Sequence, residues 1–201
     1  MSPALGVFAP LWLEARAVRA GLRGADVVRC GMGPARARAA ARDFRQRAAR
    51  PEAVAVAGVC GSLDARLVPG DVIVASELRC AGRTWVLDSA KPLARALEAQ
   101  GTRVELGPIV SVERLLPRAE RAALRREGAL AVDMESAWLA AELADSLPFA
   151  VLRVVSDGPG HELFSPKIVP NGIRALRALR AAAPALAAWA RHLNHSLEAR
   201  S

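Results

Sequence analysis

FAVLRVVS at residues 149–156 is the clearest buried strand of this sequence, because a continuous apolar run of this length is typical of a strand covered on both faces. Further strands are predicted around it at residues 4–9, 26–30, 53–59, 71–76, 83–87, 103–111 and 130–133. Helices are predicted at residues 11–21, 35–50, 91–100, 117–127, 135–146 and 173–199. This alternation indicates an α/β fold with three layers, in which a mixed, mostly parallel central sheet is flanked by helices.

Prolines and glycines predict irregularities within these elements. Gly107-Pro108 interrupts the strand at residues 103–111 and indicates a bend or a bulge. Pro184 should kink the terminal helix, and residues 157–171 should form an irregular segment. The large apolar residues of the terminal helix should share one face: Ile173, Leu176, Leu179, Leu186, Leu193 and Leu197. Neither a linker nor a repeat divides the chain, so we expect one domain over residues 1–201.

Composition and charge exclude several classes of protein. The 201 residues are 52% hydrophobic and 24% charged, a balance typical of a globular chain rather than a disordered one. Arginine supplies almost all of the basic charge behind the net +8, but aromatic residues make up only 4%, so we expect no nucleic-acid partner. Cys30, Cys60 and Cys80 are too few and too widely spaced for a disulfide framework or a zinc site. We therefore expect a cytoplasmic protein with no metal and no membrane-spanning helix.

Carboxylates follow several of the predicted strands. Glu14 lies just beyond the first strand, Asp133 and Glu135 lie where a strand becomes a helix, and Asp157 ends the strand at residues 149–156. Each has an ordinary structural explanation: a solvated helix residue for Glu14, a helix N-cap for Asp133 and a turn for Asp157. Ligands of such sheets bind at the carboxyl ends of the strands, so together these groups indicate general acid–base chemistry.

Five segments, in chain order, resemble the signature segments of one superfamily. They are CGMGP at residues 30–34, AGVCGSL at 57–63, VPGDVIV at 68–74, VDMES at 132–136 and LRVVSD at 152–157. The superfamily is that of nucleoside phosphorylases and nucleosidases, including purine nucleoside phosphorylase and methylthioadenosine/S-adenosylhomocysteine nucleosidase. The resemblance covers most of the chain.

The resemblance implies an enzyme that cleaves the bond between a purine base and ribose. Asp157 would protonate N7 of the base, and Glu135 would bind the ribose hydroxyls and stabilise the ribosyl cation. Glu14 stands where methylthioadenosine nucleosidases carry a glutamate that activates water. Met134 would pack under the sugar, although a place in the core is an equal alternative.

Other positions are substrate contacts by the same resemblance: Ser111, Leu115, Ser156, Gly58 and Gly61. Nucleosidases usually stack the purine on an aromatic side chain near Leu115, so an aliphatic residue there implies weaker stacking. The resemblance implies no cofactor, a small-molecule or lipid nucleoside as partner, and assembly as a homodimer or larger homo-oligomer.

The phosphate site departs from the pattern of the phosphorylases. They place an arginine and a serine on the strand where this chain has Val56 and Val59. A helix N-terminus with nearby arginine is an anion site, so Gly31, Gly33 and Arg36 are alternative phosphate contacts. Phosphate is therefore a candidate co-substrate, and the choice between hydrolysis and phosphorolysis stays open.

Within the superfamily, residues 132–136 and 147–153 look most like the hopanoid-associated phosphorylases, which are thought to remove adenine from adenosylhopane. A lipid substrate would need an apolar mouth, for which the candidates are Trp12, Leu13, Leu163, Phe164, Ile168 and Val169. Arg174, Arg177 and Arg180 would then contact an anionic membrane surface transiently. Alternatively, the apolar segment packs on the core and the arginines form a solvated helix face.

Competing functions remain open at this stage. The nearest are methylthioadenosine/S-adenosylhomocysteine nucleosidase and futalosine hydrolase. A nucleoside-binding module that has lost turnover, and a basic surface-binding protein with no small-molecule site, belong to different classes.

Overall fold

The computed structural model describes residues 5–48, 51–159 and 168–198. The strands in this part of the chain are β1 Leu5–Ala9, β2 Asp26–Arg29, β3 Ala53–Ser62, β4 Val72–Cys80, β5 Arg83–Val86, β6 Val104–Ser111, β7 Ala131–Asp133 and β8 Phe149–Asp157. The helices are α1 Trp12–Gly21, α2 Pro34–Arg45, α3 Ala90–Glu98, α4 Arg118–Arg126, α5 Ser136–Leu143, α6 Ile168–Ala182 and α7 Pro184–Glu198. Every predicted strand is present, and so is every predicted helix except the terminal one, with ends that differ by a few residues.

The C-terminal region shows the largest difference from the sequence prediction. Two helices, α6 and α7, replace the single kinked one, and the break falls before Pro184, whose nitrogen has no hydrogen to continue the helix. Helix α6 begins at Ile168, inside the segment predicted to be irregular. Pro170 does not prevent this, because first-turn N–H groups have no partner within a helix. Leu163 and Phe164 lie outside the described residues.

The sheet is mixed and mostly parallel, as predicted. Five of the eight strand pairings in the described residues are parallel. The order is β2-β1-β3-β7-β6-β4-β5, and β8 pairs with both β3 and β4. These pairings close a ring through β3, β8, β4, β6 and β7. Strand β8 is buried along its whole length, which explains why FAVLRVVS carries so few polar residues.

The expected irregularity at Gly107-Pro108 is a bulge between β6 and β4. Gly107 pairs with Ala75 and Pro108 pairs with Glu77, so Ser76 is the extra residue and lies on β4 rather than on β6. A Cβ on Gly107 would lie 2.8 Å from the Leu130 side chain, so the approach of the β6–β7 connection requires glycine there.

Helices cover both faces of the sheet. On one face α1, α3, α6 and α7 pack around Leu179, Leu186 and Trp189. On the other face α2 and α5 pack on the sheet, and Phe8 meets Phe44 edge to face at 5.2 Å. The prediction that Ile173 shares the buried face was wrong, because the small residue Ala175 occupies the α6 contact instead and Ile173 is exposed.

Chain direction brings the carboxyl ends of β1, β3, β6, β7 and β8 to one region, where the pairs Gly61–Asp157 and Ser111–Asp133 lie side by side. No helix within the described ranges is long and apolar enough to cross a membrane.

Candidate active site

A cavity of about 200 Å³ opens at these strand ends. Four carboxylates lie in its wall: Glu14, Asp133, Glu135 and Asp157. Two guanidinium groups, Arg114 and Arg121, line one side, and the rest of the wall is largely apolar. The cavity therefore collects the acidic residues that the sequence placed at strand ends.

Glu14 is a buried residue, 2% exposed, and not a solvated one. It stands in the first turn of α1, where its Oε2 accepts the Leu11 N–H at 2.6 Å and so caps the helix. Its Oε1 accepts the Val59 N–H of β3 at 2.7 Å. Burial raises the pKa of Glu14, while the Arg153 charge and these two N–H groups oppose the rise. The result is an oriented carboxylate at the cavity wall with increased affinity for a proton.

Asp133 and Ser111 form the support behind the cavity. Asp133 Oδ1 accepts the Ser111 hydroxyl at 2.5 Å and the N–H groups of Glu135 and Ser136 at 3.3 Å, so it binds two backbone donors at the start of α5, although the N-cap residue is Glu135. Ser111 Oγ in turn accepts the Ala137 N–H at 2.8 Å. Ser111, predicted to contact substrate, thus lies behind Asp133 and orients it.

Arg153 is the central residue that the sequence interpretation missed. It is fully buried, and its Nη2 lies 2.7 Å from Asp133 Oδ2 and 3.4 Å from Glu135 Oε2. It also donates to Ser136 Oγ at 3.0 Å and to the Val59 carbonyl at 3.3 Å. Burial by itself would lower the pKa of Arg153, but Asp133 and Glu135 raise it above its ordinary value. An arginine inside the apolar run FAVLRVVS was the available signal, because a buried charge requires partners.

The surroundings of Glu135 raise its pKa. Its Oε1 accepts the Gly33 N–H at 3.0 Å, and its Oε2 faces Arg153. Burial, helped by the negative charge of Asp133, raises the pKa of Glu135 to about 7, against the opposing effect of Arg153. Glu135 therefore changes charge near neutral pH.

Asp157 lies at the opposite end of the acidic wall, next to an arginine that was not predicted. Arg121 Nη2 donates to Asp157 Oδ2 at 2.8 Å, and the Ser156 hydroxyl lies 3.1 Å from Oδ1. Ser156 Oγ also lies 3.2 Å from the Cys60 carbonyl, so this hydroxyl ties the end of β8 to β3. Helix α4, which carries Arg121, has no buried residue, so its polar sequence contained no sign of a site residue.

The remaining predicted contacts divide into two groups. Met134, Gly61 and Leu115 lie in the cavity wall, and Leu115 is 59% exposed at its mouth. Gly58 lies behind the wall, where a Cβ would stand 2.6 Å from Arg153 Nη1 and 2.8 Å from Glu14 Oε1. Gly58 therefore leaves room for the buried ion pairs.

The proposed phosphate contacts Gly31, Gly33 and Arg36 do not line the cavity, although Met32 of the same loop does. The Gly33 N–H is already bonded to Glu135, and the Arg36 side chain packs next to Gly31, which has a φ of +77°. In the part of the chain that is described, no group of three or more His, Cys, Asp or Glu residues could hold a metal ion.

The described residues combine an α/β sheet, helices on both of its faces and an acidic cavity at its strand ends. Residues 23–183 match the family model described as the phosphorylase superfamily. The chain belongs to this superfamily, and the resemblance found in the sequence is confirmed at that level. No curated protein sequence matches the chain significantly.

Solved structures share the fold over nearly the whole chain. Futalosine hydrolase of Helicobacter pylori superposes with a TM-score of 0.79 at 16% identity, over 91% of this chain and 96% of the other. The methylthioadenosine/S-adenosylhomocysteine nucleosidase of Helicobacter pylori gives 0.76 at 18%, over 94% and 97%. The Neisseria meningitidis nucleosidase, in complex with methylthio-immucillin-A, gives 0.74 at 21%, over 94% and 98%. These comparisons confirm the predicted fold.

Proposed function

We propose that this protein is an enzyme that cleaves the N-glycosidic bond of a purine nucleoside by hydrolysis. The observation that carries the proposal is that Glu14, Glu135 and Asp157 line one cavity in three different environments. Glu14 accepts two backbone N–H groups, and Glu135 meets one backbone N–H and the buried Arg153. Asp157 meets Arg121. Such unlike environments are what separate acid and base roles among identical groups. Membership of the superfamily and the nucleosidases of the same fold support the assignment.

The chemistry assigns one task to each carboxylate. The C1′–N9 bond breaks, both electrons go to the base, and Asp157 in its protonated form gives its proton to N7; solvent returns a proton to Asp157 after each turnover. Ionised Glu135 accepts hydrogen bonds from the ribose hydroxyls and stabilises the positive charge that develops on the sugar. Water then attacks C1′, and Glu14 accepts its proton. The N–H groups of Leu11 and Val59 hold the Glu14 carboxylate in place for this role.

Hydrolysis is favoured over phosphorolysis by the charges around the cavity. Val56 and Val59 provide no donor for an anion, and the Gly33 N–H already serves Glu135. The guanidinium of Arg153 is likewise engaged by Asp133 and Glu135. A phosphate in the cavity would therefore be repelled by the carboxylates of the wall, and the two arginines of the wall are themselves paired with Glu120 and Asp157.

The 5′ side of the substrate is proposed to be apolar. Exposed apolar side chains stand at the cavity mouth, with Leu11, Met32 and Leu115 in its wall and Trp12 and Leu13 beside them. They support a 5′ group of the hopanoid type, which the sequence resemblance implies, and equally a small alkylthio substituent.

Membrane contact is part of the lipid proposal. Helix α6 exposes three arginines, Arg174, Arg177 and Arg180, together with Val169 and Ile173. The same exposed residues could therefore face either solvent or an anionic membrane. Flotation with anionic and neutral liposomes at low salt tests this. Binding to anionic vesicles that the triple arginine-to-alanine variant loses supports the contact, and no binding removes it.

Turnover tests the function directly. Inosine, adenosine, methylthioadenosine and an adenosyl lipid are incubated with and without phosphate, and the released base and sugar are separated by chromatography. We expect base release and free sugar without phosphate, lost in Glu14→Gln and retained in Glu98→Gln on the exposed face of α3. Release that requires phosphate and yields a sugar 1-phosphate would make the protein a phosphorylase. No release from any nucleoside would refute the enzyme proposal.

A further inference from the structure

Arg121 stands where the reaction proposed above puts the purine base. Its guanidinium lines the cavity from α4, its side chain is 18% exposed, and its Nη2 lies 2.8 Å from Asp157 Oδ2. If Asp157 gives its proton to N7, the Arg121 guanidinium beside it faces the same edge of the base.

Gly61 provides the space in which Arg121 and Asp157 form their ion pair. A Cβ on Gly61 would lie 2.7 Å from Arg121 Nη2 and 3.1 Å from Asp157 Oδ2. The missing side chain therefore lets the guanidinium and the carboxylate lie against β3 together, at the floor of the cavity.

The second arginine of the wall, Arg114, differs from Arg121 in its exposure and in the carboxylate that it pairs with. Arg114 has a side chain that is 62% exposed, and Glu120 accepts from its Nη2 at 2.9 and 3.0 Å. Its charge is thus directed to the surface of α4, and Arg121 is the arginine directed at Asp157.

The edge of a purine that carries N7 also carries the substituent at C6. In adenine this edge presents an acceptor at N7 and a donor at the amino group, whereas a 6-oxopurine presents two acceptors, N7 and O6. Arginine has donors and no acceptor. An arginine next to the N7 partner therefore complements the oxygen and confronts the amino group.

We propose that Arg121 is a specificity residue that selects purine bases with an oxygen at C6. This rests on the proposed function, in which Asp157 faces N7. When the base enters, O6 takes the N–H that Asp157 accepts in the free protein. As the C1′–N9 bond breaks, the electron pair passes to the base and its charge spreads onto N7 and O6, where the guanidinium stabilises it. The preferred base is then not the adenine that the sequence resemblance implies.

Paired measurements on inosine and adenosine test the selection. We expect the wild-type protein to favour inosine in kcat/KM by roughly 10- to 100-fold, the range of one hydrogen bond from a charged donor. Arg121→Ala should remove this preference by lowering the inosine value. Arg121→Gln, whose amide both donates and accepts, should narrow it. Arg126→Ala, on the exposed side of the same helix, should leave it unchanged.

Two results separate this inference from the proposed function. Preference of the wild-type protein for adenosine, or equal losses on both nucleosides in Arg121→Ala, overturns the inference and leaves the nucleosidase intact. If neither nucleoside is cleaved, calorimetry with free hypoxanthine and adenine decides the inference, and the proposed function fails only when the methylthio and lipid nucleosides are not cleaved either. Tighter binding of hypoxanthine that depends on Arg121 supports it, and any other binding order refutes it.

Discussion

Replacing Arg153 by methionine should destabilise the protein more than any other single change at the site. The guanidinium is fully buried, and it neutralises Asp133 and Glu135 while donating to Ser136 and Val59. Removal of one partner from a buried ion pair costs about 3–5 kcal/mol, because the remaining charges are left without compensation. That loss is a large share of the roughly 5–15 kcal/mol that stabilises a typical domain.

Urea denaturation followed by circular dichroism measures this loss. With a slope of about 2 kcal/mol per molar urea, the midpoint should fall by about 2 M. The matched control is Arg126→Met on the exposed side of α4, which should shift the midpoint little.

The pH dependence of the loss provides a second readout. In the wild-type protein, Glu135 has a pKa of about 7 and is ionised above that pH. Without Arg153, the buried carboxylates of the native variant keep their protons to higher pH. A native state that binds more protons than the unfolded one loses stability as the pH rises, by about 1.4 kcal/mol per pH unit and proton. The deficit of Arg153→Met should therefore grow from pH 5.5 to pH 8. A deficit below about 1 kcal/mol, or one independent of pH, would refute the role of Arg153 as the counter-charge of the cluster.

Three further substitutions test the site. Asp157→Asn should lower base release by about 10²-fold or more with the fold intact, because the proton for N7 is lost; near wild-type release would contradict the assignment. In the wild-type protein, kcat/KM should decrease as the pH is lowered through about 7, because Glu135 becomes neutral there, and Glu135→Gln should abolish this pH dependence. The same variant should impair cleavage of ribosides more than of 2′-deoxyribosides. Equal impairment would show that Glu135 does not bind the ribose hydroxyls. Gly58→Ala should cost about 1–3 kcal/mol in thermal or urea unfolding, because its Cβ would stand 2.6 Å from Arg153 Nη1. The control Gly172→Ala, with open space around it in α6, should be neutral or stabilising, and similar losses in both would refute the crowding argument.

Much of the fold was predictable from local patterns. FAVLRVVS and the other apolar runs had to be covered on both faces, since burial of apolar side chains dominates the favourable free energy of folding. Strand ends could therefore be located, and with them Glu14, Glu135 and Asp157, because a polar residue that follows a buried run lies at the edge of the sheet. Pro184 could be assigned as a break because the missing N–H acts locally.

The order of the strands could not be predicted in the same way. Strand β8 joins β3 to β4 and closes the ring, although β8 is far from both of them in sequence. Which strands pair depends on which apolar faces pack together, and the alternation of residues within one strand does not specify its neighbour.

The partners of the charged residues were decided by tertiary structure alone. Gly33 and Glu135 are 102 positions apart, and Arg121 and Asp157 are 36 apart. Arg153 was visible as an anomaly in an apolar strand, but its partners followed only from the packing of β7 and α5 beside β8. The sequence by itself determined the layers, the sheet and the positions of the acids along the strands. Tertiary structure decided which arginine meets which acid, because hydrogen bonds and ion pairs form between atoms a few ångströms apart, whatever their separation along the chain.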